Sequence, residues 1–68
     1  MTPEKFRAIA RTTYGFGWQS RVAEQYDVDR STVLRWSRGQ IPIPDTVSSS
    51  LAQRAAQHIA AAIIALVG

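Results

Sequence analysis

At 68 residues the chain has room for one small domain, of a size that is marginal unless it is stapled or associates with itself. It has no cysteine and a single histidine, His58, which excludes a disulfide framework, a thiolate metal site and a zinc site. The net charge of +3, a pI near 10.2 and 46% hydrophobic residues exclude a disordered acidic tail and fit a folded, basic globule.

Thr2 is a suitable N-cap, and Pro3 then falls at the first helical position, where its missing N–H costs nothing. Glu4 complements the positive end of the helix dipole. Phe6, Ile9, Ala10 and Thr13 follow helical spacing, and Gly15 stops the run, so the first helix is expected over residues 3–14. Gly15-Phe16-Gly17 reads as a sharp connector with Phe16 or Trp18 plugging the core. It lacks the strand and the spacing of a phosphate-cradling loop.

A second helix is expected over 18–26, with Trp18, Val22, Ala23 and Tyr26 on one face and Ala23 small enough for a close helix crossing. Asp27 is the turn residue, and Val28 covers the core between helices. Asp29 is the N-cap of a third helix, its carboxylate expected to accept from the N–H of Ser31 or Thr32. That helix spans about 30–37 and closes on Gly39 as the residue after its cap. Val33 and Trp36 point inward. Ser31, Leu34, Arg35 and Arg38 form the opposite stripe. Trp36 as a base-stacking platform is the weaker reading beside its inward phase with Val33.

The linker GQIPIP cannot stay helical, but Ile41 and Ile43 are expected over the core. Residues 45–67 then read as one long helix, with Val47, Leu51, Ala55, Ile59, Ala62, Ile63 and Leu66 on one face and Ile64 and Val67 on a second. No strand signal and no internal repeat is present. The predicted fold class is all-α, a compact four- to five-helix domain with a C-terminal dimerisation helix.

Charge divides the chain. Residues 1–38 hold seven cations against four carboxylates, whereas residues 39–68 hold Arg54 against Asp45. Seven of the eight cations are arginine, suited to bidentate phosphate and guanine contacts. The basic part faces a polyanion. For each arginine the alternative is a solvated pair with Glu24, Asp27 or Asp29.

The stretch VAEQYDVDRSTVLRWSRGQIPIP resembles the helix-turn-helix domains of the phage-repressor and Cro-like superfamily. The match lies in a second helix with a small crossing residue, then S-T-V-x-x-W and a glycine, then a proline-bearing connector. It is strong over residues 19–44 and loose elsewhere. Asp27 departs from the family's usual turn glycine. Members of this size include phage and plasmid autoregulators, among them repressors encoded beside anti-CRISPR genes.

The resemblance implies major-groove readout of double-stranded DNA by the third helix. Arg30, Ser31, Thr32, Leu34, Arg35 and Arg38 are the base-readout residues, with Arg35 central and Leu34 placed for a thymine methyl or for partial burial. Gln19 and Ser20, at the start of the second helix, resemble residues that the family uses on phosphate. Arg21 and Arg38 are further phosphate clamps.

Ile59, Ile63, Ile64, Leu66 and Val67 are too apolar for one side of one helix in so small a globule. They are assigned to a homodimer interface that sets two recognition helices on an inverted-repeat operator. The function expected is an autoregulatory repressor. A module such as an antitoxin or adaptor, which kept the fold and lost readout, is the alternative, though an adaptor has no need of three arginines around one helix. No catalytic constellation assembles around His58 or Ser48–Ser50; no enzyme activity, cofactor, metal or small-molecule ligand is expected. The start MTPEKFRAIARTTYG does not read as a signal peptide, and the apolar run 59–67 is about half a bilayer span. A soluble, cytoplasmic protein without a membrane partner is expected.

Overall fold

The computed structural model describes residues 1–67 and holds four helices: α1 (Pro3–Tyr14), α2 (Trp18–Tyr26), α3 (Arg30–Ser37) and α4 (Asp45–Val67). All four fall where sequence spacing and capping residues put them. The Thr2 side chain accepts a hydrogen bond from the Lys5 N–H at 3.2 Å, opening α1. At its other end the Gly15 N–H donates to the Arg11 carbonyl at 2.8 Å, with Gly15 at φ 74, ψ −147, a conformation that side chains rarely adopt.

Two further turns share one mechanism. After α2, Asp27 sits in the left-handed region at φ 53, ψ 49, the Val28 N–H donates to the Ala23 carbonyl at 3.0 Å, and the Asp27 N–H donates to Glu24. After α3, Gly39 takes φ 74, the Gln40 N–H donates to Arg35 at 3.0 Å and the Gly39 N–H to Trp36 at 3.2 Å. Both are Schellman closures, which satisfy the last carbonyls of a helix by reversing the chain through one left-handed residue. Glycine occupies that position after α3, and an aspartate holds it after α2.

The N-cap of α3 differs from expectation. Asp29 is the cap residue, but its side chain makes no capping hydrogen bond. Its backbone carbonyl instead accepts from the Thr32 N–H at 3.0 Å and the Val33 N–H at 3.3 Å. Its extended backbone aims that carbonyl along the helix while the carboxylate stays at the exposed surface.

The core is built around α1. Phe6 is fully buried and meets two tryptophans edge-on: Trp18 of α2 at 5.8 Å and 79°, and Trp36 of α3 at 6.0 Å and 88°. Edge-to-face aromatic pairs add roughly 0.5–1.5 kcal/mol each beyond area burial. Ala10, Val22, Ala23, Val33, Val47 and Leu51 complete the buried cluster, with Ile9, Tyr14, Tyr26, Val28, Ile41 and Ile43 packed around it. The linker isoleucines thus cover the core as expected. Of the two aromatics in the α1–α2 connector, Trp18 is the plug and Phe16 stands wholly in solvent.

α4 packs chiefly on α1. Its buried residues, Val47, Leu51 and Ala55, recur every four positions and then cease. Twenty-three residues measure about 34 Å along the axis, against short dimensions of 20 and 18 Å for the molecule. The helix therefore outruns the body it packs on, and Ile59, Ile63, Ile64, Leu66 and Val67 are exposed. Among the described residues, α4 is also the one helix long and apolar enough to cross a membrane by length and composition, with mean hydropathy 1.2 over an 18-residue window that is 11% buried. The uninterrupted run 59–67 falls short of a span; the whole helix, counted back through Val47, does not.

Candidate nucleic-acid interface

α2 and α3 meet through Val22 and Ala23 on one side and Val33 and Trp36 on the other, all buried. Val28, in the turn between them, is half-buried against the same cluster. Burying one face of an eight-residue helix determines what the other can display. With Val33, Trp36 and Ser37 inward, α3 presents Arg30, Ser31, Arg35 and Arg38 to solvent, and Thr32 and Leu34 at its half-buried flanks. Leu34 thus takes an intermediate place between its two expected environments. Of the residues expected to touch phosphate, Ser20 and Arg21 are exposed and Gln19 is half-buried.

The inward face of α3 is anchored by polar contacts as well. The Ser37 hydroxyl donates to the Leu34 carbonyl at 2.8 Å, and the Arg7 guanidinium of α1 donates to the Ser37 carbonyl. A cation at a helix C-terminus complements the negative end of its dipole and satisfies a carbonyl that the helix leaves open. Arg7 is therefore a structural clamp that fixes the axis of α3, and it leaves the pool of cations free to meet an external polyanion.

A second surface was not foreseen from the sequence. The last turn of α1, the Gly15-Phe16-Gly17 connector and the first turns of α2 and α3 enclose an open cleft of about 600 Å³. Arg11, Gln19 and Arg30 line it with Trp18, and every charged residue on its wall is cationic. Arg11 and Arg30 are 19 positions apart and line the same cleft because α1 packs on α3. Spacing could not reveal this: Arg11 lies on the polar side of α1 and reads, on its own helix, as a solvated surface arginine.

The exposed cations of α3 are thus continuous with the cleft through Arg30. A helix face with guanidinium and hydroxyl groups, flanked by a second cationic wall, offers directional donors for base edges and charge for phosphates. The chain matches no protein-family model, no curated protein and no solved structure.

The second half of α4 stands apart from this surface. His58 and Ile59–Val67 are all exposed, and no Lys, Arg, Asp or Glu occurs after Arg54. On the side where α4 meets the other helices there is a polar layer. The Tyr26 hydroxyl donates to Ser50 Oγ at 3.1 Å, while the Tyr14 hydroxyl, Thr13 Oγ1 and Ser48 Oγ are buried without a hydrogen-bond partner. Burial pushes the Tyr14 phenol above its usual pKa, the neighbouring Tyr26 pushes it further, and Arg54 opposes the shift.

Proposed function

We propose that this protein is a sequence-specific double-stranded DNA-binding regulator of the phage-repressor and Cro-like kind, with α3 lying in the major groove. The observation that carries the reading is the division of α3 into a buried face of Val33, Trp36 and Ser37 and an exposed face of Arg30, Ser31, Arg35 and Arg38. Arg35 is central on the exposed face and is assigned a guanine, for which bidentate contact to O6 and N7 contributes roughly 1–3 kcal/mol of discrimination. Arg30, Ser31, Thr32, Leu34 and Arg38 flank it. Gln19, Ser20 and Arg21 hold phosphates at the start of α2.

Arg11 joins the phosphate set because it shares a cleft with Gln19 and Arg30. The exposed end of α4 makes a homodimer, so that two copies read an inverted repeat. Repression by occlusion of a promoter, from the cytoplasm, is the outcome that such binding delivers unaided.

The test is a fluorescence-anisotropy titration on the duplex upstream of the protein's own gene and on a scrambled duplex, at two salt concentrations. The reading predicts tighter binding to the first duplex and a steep loss with salt on both. Equal, weak binding to both duplexes would favour an adaptor that has lost readout.

A further inference from the structure

α4 carries a second apolar stripe, distinct from the one that packs on the body. Ala52, Ala56, Ile59, Ile63 and Leu66 follow one another at intervals of four, three, four and three residues, the spacing of a coiled-coil seam. All five are exposed. At 3.6 residues per turn this stripe is centred about 100° around the helix from the buried line Val47–Leu51–Ala55, so both can be used at once.

The stripe is graded in size. Its end near the body is alanine, and its outer end is isoleucine and leucine, with Leu66 86% exposed. Paired in parallel with itself, it would set alanine against alanine and leucine against leucine, splaying the helices and leaving a wedge-shaped void beside the body. Paired antiparallel about Ile59, it sets Ala52 against Leu66 and Ala56 beside Ile63, small against large on either side of a central Ile59 pair.

We propose that a second copy of this chain pairs with α4 antiparallel along Ala52, Ala56, Ile59, Ile63 and Leu66, with the two-fold axis at Ile59. This rests on the dimer reading above and gives it an orientation and a register. Two of the sequence-assigned interface residues then change place: Ile64 lies about 120° from the seam centre and Val67 on its margin, while Ala52 and Ala56 enter. A two-fold axis makes the contact isologous, so the graded stripe is its own complement.

The area agrees with a modest association. A seam of about 21 Å on a helix ~10–12 Å wide covers roughly 230 Å² per copy, under a third of the ~800 Å² per partner of a standard interface. That is the size of weak pairing that a shared DNA site completes. A bilayer is a poorer occupant: the first half of α4 is held to the body through Val47, Leu51 and Ala55, and the exposed run Ile59–Val67 covers about 14 Å of a ~30 Å hydrocarbon core. No basic residue follows Arg54 to meet anionic headgroups.

The absence of cysteine makes the test clean, because a single introduced thiol is the only one in its chain. Ala52→Cys, Ile59→Cys, Ile64→Cys and Leu66→Cys all alter exposed positions, so the fold is left alone. Under mild oxidation, Ile59→Cys should cross-link to itself, and Ala52→Cys should cross-link to Leu66→Cys only when the two are mixed. Ile64→Cys should stay monomeric in denaturing gels. Self-linking of Ala52→Cys alone and of Leu66→Cys alone would overturn the antiparallel arrangement, and so would preferential linking through Ile64→Cys. A dimer by sedimentation velocity with no cross-link in any of these variants would overturn the seam while leaving the dimer reading in place. A monomer at every concentration, with and without duplex DNA, would overturn both. Flotation of a monomeric chain with phosphatidylcholine vesicles would overturn them in favour of a membrane surface.

Discussion

Replacing Asp27 by glycine should stabilise the protein, although it deletes a side chain and shortens no contact. Asp27 closes α2 in a left-handed conformation, φ 53 and ψ 49. A side chain there costs roughly 1–2 kcal/mol, less for Asp than for most residues. Its carboxylate also sits at the negative end of the α2 dipole, unfavourable by about 0.3–1 kcal/mol. Against these gains stands the greater entropy of glycine in the unfolded chain, about 0.4–1 kcal/mol. The balance is a net stabilisation of about 1 kcal/mol. In a domain of this length that corresponds to a rise in Tm of about 4–8 °C. Asp27→Ala keeps the backbone strain and is the control: removing the charge offsets the loss of a residue that tolerates the left-handed region, so Tm should stay level or fall. The assay is thermal unfolding followed by circular dichroism, with urea unfolding to confirm that m is unchanged. A lower Tm for Asp27→Gly, or an equal gain for both variants, would refute the argument that the turn is strained. The first outcome would mean that the carboxylate makes a stabilising contact, and the second that only its charge matters.

The other predictions concern the core, the polar layer and the cationic cleft. Phe6→Ala removes the ring between two tryptophans and should cost about 3–5 kcal/mol, enough to unfold a small domain, whereas Phe16→Ala should change urea-derived stability by less than about 0.5 kcal/mol. The raised Tyr14 pKa means that the folded state holds that proton more tightly than the unfolded chain does, so its contribution is present below the ordinary value of 10.0 and is lost as pH rises through the raised one. Tyr14→Phe should flatten the alkaline fall in urea midpoint, and it removes a buried hydroxyl that has no partner. An unchanged alkaline fall would assign the loss to another group. Arg11→Ala should weaken binding to every duplex and reduce the slope of log K against log salt by about 0.9, the signature of one lost phosphate contact. An unaltered slope would remove Arg11 from the interface.

The four helices were legible because their ends are written locally. Thr2-Pro3, Gly15, Asp29 and Gly39 act within a few residues of themselves, and the buried stripes follow a period of 3.6. The division of α3 was legible for the same reason, since its eight residues leave Val33 and Trp36 one way to face a core. What escaped is long-range or depends on the direction of a single group. Arg11 shares a cleft with Arg30 through the packing of α1 on α3, and Arg7 reaches a carbonyl 30 positions away. Asp29 caps with its backbone, a choice between two acceptors on one residue that spacing does not resolve. Phe16 and Trp18 compete for one cavity, and only packing decides between two aromatics two residues apart. In α4 the periodicity runs on past Ala55 while the body does not, and helical phase alone does not say where the covered part of that face stops.

The exposed face of α3 is proposed to read base pairs. Its most direct test is enrichment of bound duplexes from a random pool, with the wild-type chain and Arg35→Ala in parallel. The wild type should enrich an inverted repeat with a guanine at a fixed place in each half-site. Arg35→Ala, folded to the same Tm, should lose preference at that place by roughly 5- to 150-fold, equivalent to about 1–3 kcal/mol. Enrichment of no sequence by the wild type, or of the same sequence with equal preference by Arg35→Ala, would contradict it.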